Sequence, residues 1–219
     1  RSLAIVGATG GGKTTLVNLL ARFYEPTSGV ISLDGIDYRE RSLNFLQSNL
    51  GVVLQTSHIF AGTVRENIRY GQLSATDEAI HAAAEAAGAA PMIKQLDQGY
   101  DTMIEEGGAS LSSGQKQLIA FSRALLKDPQ ILIMDEATSS VDTLTEKRIE
   151  QGLRALLKDR ISVIIAHRLS TIRHADQICV LDQGRIIEMG RHEELIAIEG
   201  KYHALFMQQS LSNLWQHQP

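Results

Sequence analysis

Leu3-Ala4-Ile5-Val6-Gly7-Ala8-Thr9-Gly10-Gly11-Gly12-Lys13-Thr14-Thr15 stands almost at the start of the chain. The first four residues are apolar and predict a short buried strand. Gly7–Thr14 fits G-x-x-x-x-G-K-[ST], the phosphate-loop pattern. Leu16, Val17, Leu19, Leu20 and Phe23 then recur at helical spacing. Bare glycine backbone lets the N–H groups from Gly7 through Ala8, Thr9, Gly10, Gly11 and Gly12 close around phosphate oxygens. The new helix adds its positive N-terminal end. Lys13 supplies a charge for the outer phosphates, Thr14 can place its hydroxyl on Mg²⁺, and Thr15 continues the binding segment into the first turn. A glycine-rich turn with a solvated lysine would need neither the hydroxyl nor the buried strand.

The bulk numbers bound the partners. The chain has 219 residues, 43% hydrophobic and 21% charged, an ordinary soluble composition. A net charge of −4 gives no basic field, so nucleic acid is not expected as a main partner. Cys179 is the single cysteine. It can form no internal disulfide, and its place in the apolar run Ile178–Leu181 predicts a core strand. No apolar run approaches the ~20 residues that cross a bilayer, and no signal peptide is visible. Arg1 leads straight into the first strand, with nothing upstream of Gly7 to hold a base. The chain is therefore expected to be part of a longer one.

Further along, Gly29–Leu33 reads as a strand, Asp34-Gly35 as a tight turn, and Leu50–Leu54 as a buried strand ending at Gln55. The texture then turns helical. Asp77–Ala87 has Thr76 as N-cap and Gly88 past its end. A second helix runs from Ser113 to Leu126, with Leu118, Phe121, Ser122 and Leu125 on one face and Pro129 beyond. Strands return at Ile131–Met134, Ser162–Ala166 and Ile178–Leu181, with a helix at Leu144–Leu157 between the first two. Gln183-Gly184-Arg185 turns into Ile186-Ile187, and His192–Ile198 reads as a helix. Alternation of this kind predicts an α/β fold with a mainly parallel sheet. The expected body covers about 1–56 and 129–209, an inserted helical lobe about 57–128, and a tail with Trp215 covers 210–219.

Ile131-Leu132-Ile133-Met134-Asp135-Glu136 places two carboxylates at the end of a buried strand, where α/β sheets bind ligands. Asp135 can hold Mg²⁺ beside Thr14. Glu136 can polarise an attacking water. Alone, two adjacent acids suit a solvated turn equally well; beside a phosphate loop they point to catalysis. Gln55 and His167 end apolar strands in the same way and could reach the γ-phosphate from the same sheet edge. A histidine so placed is also suited to plain structural hydrogen bonding.

Leu111-Ser112-Ser113-Gly114-Gln115 resembles the LSGGQ signature of ATP-binding-cassette (ABC) proteins. The other motifs follow in that family's order. Gly7–Thr14 matches Walker A, Gln55 the Q-loop, and Ile131–Glu136 Walker B with its glutamate. Ser139-Ser140-Val141-Asp142 resembles the D-loop, and His167 the switch histidine. Phe60–Ile68, Tyr100–Gly107 and Ala166–Ile172 resemble stretches of multidrug or lipid exporters. The resemblance covers essentially the whole chain. It implies a P-loop NTPase (RecA-like) core, part of an antiparallel β-subdomain and an inserted α-helical subdomain.

It implies further that two such domains meet head to tail around two ATP molecules, as a homo- or heterodimer. Ser112, Gly114 and Gln115 would complete a partner's site, because a helix N-terminus is an anion site. By the same resemblance Glu136 is the general base, His167 and Lys13 contact the γ-phosphate, and Gln55 couples bound Mg²⁺ to the helical lobe. Asp142 would communicate across the dimer, and Glu105 and Glu106 would face a transmembrane domain of the same parent chain. The place implied is the cytoplasmic face of the cell membrane. Two departures stand out. The adenine-stacking aromatic residue of the family lies upstream of the Walker motif, outside this chain. Ser113 replaces a usual glycine; serine is small enough to be harmless there, and the change equally fits one half of a heterodimeric exporter. A soluble ATP-driven clamp on DNA or ribosomes is the competing reading. Such proteins carry long coiled-coil insertions or basic tracts, which the sequence lacks. Glu136 and His167 argue against a module that binds without hydrolysing.

Overall fold

A computed structural model of the chain describes residues 1–54, 57–135, 142–166 and 169–216, with side chains at these positions except 169, 170, 209 and 211–216. In chain order the elements are β1 (Ser2–Val6), α1 (Lys13–Leu20), β2 (Ser32–Leu33), β3 (Ile36–Asp37), α2 (Leu43–Asn49), β4 (Leu50–Val53) and β5 (Gly62–Thr63). There follow α3 (Val64–Arg69), α4 (Asp77–Ala86), α5 (Ala90–Ile93), β6 (Met103–Ile104), α6 (Ser113–Lys127), β7 (Ile131–Asp135) and α7 (Thr143–Leu157). The chain ends with β8 (Ile161–Ile165), α8 (Leu169–Arg173), β9 (Gln177–Asp182), β10 (Arg185–Gly190), α9 (His192–Ala197) and α10 (Lys201–Gln216). Two compact units result: residues 1–46, 133–138 and 161–219 form one, residues 47–132 and 139–160 the other.

The first unit is built on the strand order β10-β9-β1-β8-β7. β1 lies parallel to both neighbours, with Ile5 opposite Ile165 on one side and Val6 opposite Val180 on the other. Ala4, Ile5, Ile178 and Val180 are fully buried, as continuous apolar runs in a covered parallel sheet require. Cys179 is buried among them, as its place in the sequence predicts. β10 runs antiparallel to β9 at the edge. β2 and β3 form a short antiparallel hairpin, and Asp34 and Gly35 make its turn with φ of 52° and 77°. The strand expected over Gly29–Leu33 is only Ser32–Leu33, because Gly29 turns the chain at φ 82°. Phe23 is likewise not part of the helix it was expected to continue. Arg22 breaks the helical path at φ 55°, and the Phe23 ring is exposed. The expected tail is helical through Gln216 as the end of α10. The side chain of Trp215 lies outside those described.

The second unit is organised around α6. Leu118, Ile119, Phe121, Ser122, Ala124 and Leu126 are all buried, so more than the one expected face is covered. The reason is that α3, α4, α7 and β4 all pack against this helix. The buried Ser122 hydroxyl donates to the Leu118 carbonyl at 2.8 Å, which leaves it satisfied. Caps fall where the residue types place them. The Thr76 hydroxyl accepts from the Ala79 N–H, and Thr63 and Glu66 form a reciprocal capping box on α3. Fully buried Asn67 binds both the N–H and the carbonyl of Phe60, at 3.0 and 2.9 Å. Arg123 donates to the Asn67 carbonyl at 2.9 Å and stands 5.2 Å from the Phe60 ring centre. The exporter-like stretch is thus locked by a helix more than fifty residues away.

Gly152 lets α7 approach its neighbours. A Cβ there would meet the Ala87 carbonyl oxygen at 2.5 Å and the Phe121 ring at 3.0 Å. Gly152→Ala is expected to destabilise this unit by about 1–3 kcal/mol through overpacking. Urea unfolding followed by circular dichroism checks it, and an unchanged midpoint would contradict the packing described.

Candidate phosphate site

Strand register brings the phosphate loop to the residue it leans on. With Val6 opposite Val180 in a parallel pair, the next step sets Gly7 beside Leu181. A Cβ on Gly7 would collide with the Leu181 carbonyl oxygen, and its φ of 152° is one that other residues rarely adopt. A side chain at position 7 would therefore push the loop off the sheet. The loop is closed by the Gly11 N–H donating to the Ala8 carbonyl at 3.1 Å. The Gly184 N–H donates to the Gly11 carbonyl at 3.0 Å, so the turn between β9 and β10 braces the loop from below. Gln183 and Gly184, at φ 45° and 74°, make that turn tight.

α1 begins at Lys13 after Gly12 in the left-handed conformation, with no side chain capping its first turn. Those N–H groups are orphans of the kind that anions satisfy. The Lys13 ammonium donates to the Gly7 and Ala8 carbonyls, both at 2.8 Å, which holds it over the mouth of the loop. Burial pushes the Lys13 amine below the usual lysine range, and the Asp135 carboxylate partly restores it. Asp135, half-buried at the end of β7, is thus close enough to act on Lys13. Thr14 and Thr15 are exposed in the first turn of α1. Thr14 and Asp135 offer one hydroxyl and one carboxylate. Among the described residues no three His, Cys, Asp or Glu side chains gather as a metal cage. So sparse a protein donor set suits a hydrated Mg²⁺ that takes its other oxygens from phosphate, and not an ion held by protein alone.

The other expected anion site belongs to α6. Ser112 is its N-cap: the hydroxyl accepts from the Gln115 N–H at 3.2 Å, and the Gln115 side-chain oxygen accepts from the Ser112 N–H at 2.8 Å. A hydroxyl that accepts one bond keeps its own hydrogen to donate. Ser112 and Ser113 are exposed, whereas Gly114 is buried. Ser113 is the first helical residue of α6, so its backbone does not demand glycine. Asp142 caps α7, accepting from Leu144 and Thr145 at 3.1 and 2.9 Å. The Thr145 side chain first, and then these backbone bonds, hold its carboxyl below the usual range. Glu106 accepts from the Ala61 N–H at 3.0 Å and pairs with His58 at 2.9 Å. Gln55, Glu136 and His167 lie outside the described residues, as do Ser139, Ser140 and Val141.

The sequence reading missed two groups around the loop. One is the Leu181–Gly184 brace, whose pattern shows a turn but not what the turn touches. The other is Ile172 with Tyr202, Leu205 and Phe206 of α10. These line, together with Gly7, Thr9 and Lys13, a cavity of about 320 Å³. The i,i+4 spacing of Tyr202 and Phe206 marks one packed helix face, but nothing in it names the neighbour.

Residues 1–139 match the family described as ABC transporter. The chain is 53% identical over 209 residues to an uncharacterized ABC transporter ATP-binding protein, YfiC, of Bacillus subtilis (strain 168), covering 95% of this chain and 35% of the relative. It is 52% identical over 204 residues to a fatty acid ABC transporter ATP-binding/permease protein of Mycobacterium bovis (strain ATCC BAA-935 / AF2122/97), covering 93% and 32%. The chain thus spans about a third of the length of these curated relatives. Among solved structures, a bacterial Atm1-family ABC exporter with ATP bound superposes with a TM-score of 0.88 at 45% identity, over 94% of this chain and 36% of that one.

If the loop geometry sets phosphate binding, Gly7→Ala should weaken ATP binding by at least about tenfold, since the strain and the collision together exceed about 1.4 kcal/mol. Isothermal titration checks it, and unchanged affinity would contradict the fit of Gly7 against Leu181.

Proposed function

The chain belongs to the ABC transporter family, and we propose that it binds and hydrolyses ATP at a head-to-tail interface between two such domains, powering export across a membrane. The observation that carries this is the Lys13 ammonium held at 2.8 Å from two loop carbonyls, over uncapped N–H groups and beside Asp135. That arrangement suits the β- and γ-phosphates of a nucleoside triphosphate. Its outer side is open to a second copy's Ser112, Gly114 and Gln115, which carry the complementary anion site. Two copies would then be joined by the ATP between them and released by hydrolysis.

In this proposal the loop N–H groups and Lys13 neutralise the phosphates, and Thr14, Asp135 and Gln55 hold Mg²⁺. When bound, the metal supplies charge stabilisation for the transferring phosphoryl group. Glu136 accepts a proton from the attacking water, and His167 contacts the γ-phosphate. A transmembrane domain in the same parent chain, with this domain on the cytoplasmic side, fits relatives named ATP-binding/permease proteins. Among the described residues no helix is long and apolar enough to cross a membrane. The DNA or ribosome clamp is not favoured, since these relatives are named as transporters and an exporter.

Glu136→Gln should keep ATP binding, lower turnover by at least about 10²-fold, the usual weight of a general base, and accumulate a dimer with ATP. Phosphate release and size-exclusion chromatography measure the two effects. Fast hydrolysis by that variant would remove Glu136 from its role. Lys13→Ala should instead weaken nucleotide binding itself.

A further inference from the structure

α10 is anchored at its first turn by groups from two other elements. The Glu188 carboxylate, on β10, accepts the N–H of Lys201 at 2.5 Å and that of Tyr202 at 2.9 Å. These N–H groups are orphans of the helix start, and a carboxylate there also suits the positive end of the helix. A Cβ on Gly200 would collide with the same carboxylate. On the next face, Tyr202 is 1% exposed and its hydroxyl is linked to His192 Nδ1 at 2.7 Å. The His192 ring lies 4.8 Å from that of Phe206, and the Tyr202 and Phe206 rings are 5.9 Å apart.

This anchor aims one face of α10 at the phosphate loop. Tyr202, Leu205 and Phe206 line the 320 Å³ cavity whose opposite lining is Gly7, Ala8, Thr9 and Lys13. Val6, Ala166, Ile172 of α8 and Gln208 of α10 complete it. α10 also packs on α8. The helix is therefore a wall of the chamber beside Lys13, and Tyr202, Leu205 and Phe206 make most of that wall apolar, with Gln208 its polar member. Electrostatic contacts strengthen where water is excluded. Burial pushes the Tyr202 phenol up to about 12, so the hydroxyl stays neutral and hydrogen-bonded to His192.

We infer that Glu188, His192 and Tyr202 are positioning residues that hold α10 as the outer wall of the phosphate site, and that this wall favours a triphosphate over a diphosphate. The inference rests on Gly7–Thr14 being an ATP site. It reaches beyond that reading by assigning a share of ATP-over-ADP discrimination to residues outside every motif of the sequence.

The test is a pair of mild variants in the full-length protein, Tyr202→Phe and Glu188→Gln, with ATP and ADP titrated without Mg²⁺ so that hydrolysis does not intervene. Tyr202→Phe keeps the ring and its packing and loses only the bond to His192. Glu188→Gln keeps the shape and loses the charge at the helix start. Each should weaken ATP binding about three- to tenfold, the worth of one well-placed hydrogen bond, and leave ADP affinity unchanged. A lowered melting temperature with an unaltered ATP-to-ADP affinity ratio would make the anchor merely structural and overturn the inference. Equal loss of both nucleotides would overturn it too. An unaltered protein that binds ADP as well as ATP would do the same while leaving the site itself standing. An unaltered protein that binds neither would remove the phosphate-site reading and this inference together.

Discussion

The carbonyl oxygen of Leu181 occupies the space that a side chain at position 7 would need. That contact follows from the parallel register of β1 and β9, which sets Val6 opposite Val180. It lets the chain leave the sheet edge pressed against its neighbour. Gly184 then braces the underside through Gly11. α1 begins with its first turn uncapped, and Lys13 folds back over the loop. The geometry of the site is thus a consequence of strand pairing: the loop is fixed by contacts to β9 and to the turn that follows it.

Much of this was legible in the sequence because it is local. Strand, glycine loop and helix lie within twenty residues, and their residue types state both conformation and charge. The cap at Thr76 was legible for the same reason: a short polar side chain next to a helix start has one dominant use. Ser112 and Asp142 cap helices too, but their places in the signature and D-loop stretches drew the reading to other roles. The Asp34-Gly35 turn followed from backbone preference alone. What was not legible is long-range. Leu181 lies more than 170 residues from Gly7, and its contact is made by a carbonyl oxygen, which every residue has. Tyr202 and Phe206 declare a packed face without declaring against what. The strand expected at Gly29 shortens to Ser32–Leu33 because Gly29 turns the chain in the left-handed region, which apolar content beside it does not announce. Phe23 failed because a helix stops where its backbone turns left-handed, at Arg22, whatever the periodicity beyond.

Two helix starts now have different states. α1 presents uncapped N–H groups, whereas α6 has its first turn closed by Ser112 and Gln115. The first offers its opening turn to phosphate; in the second, side chains take up the Ser112 and Gln115 N–H groups, leaving the Ser112 hydroxyl hydrogen and the backbone at Ser113 and Gly114 to add. Such an asymmetry suits a main site and a completing site contributed by different copies. It also explains how Ser113 can stand where glycine is usual, since the position is an exposed first helical residue and not a strained turn.

The central claim is that Gly7–Thr14 forms one half of a site that a second copy completes. The most direct measurement is the rate of ATP hydrolysis per chain as the concentration of the purified chain is raised across the range where dimers form. The account predicts an upward-curving dependence, with the rate per chain rising toward a plateau as dimers fill. A rate per chain that stays constant from dilute to concentrated solution would mean that each chain hydrolyses ATP alone, and would contradict it.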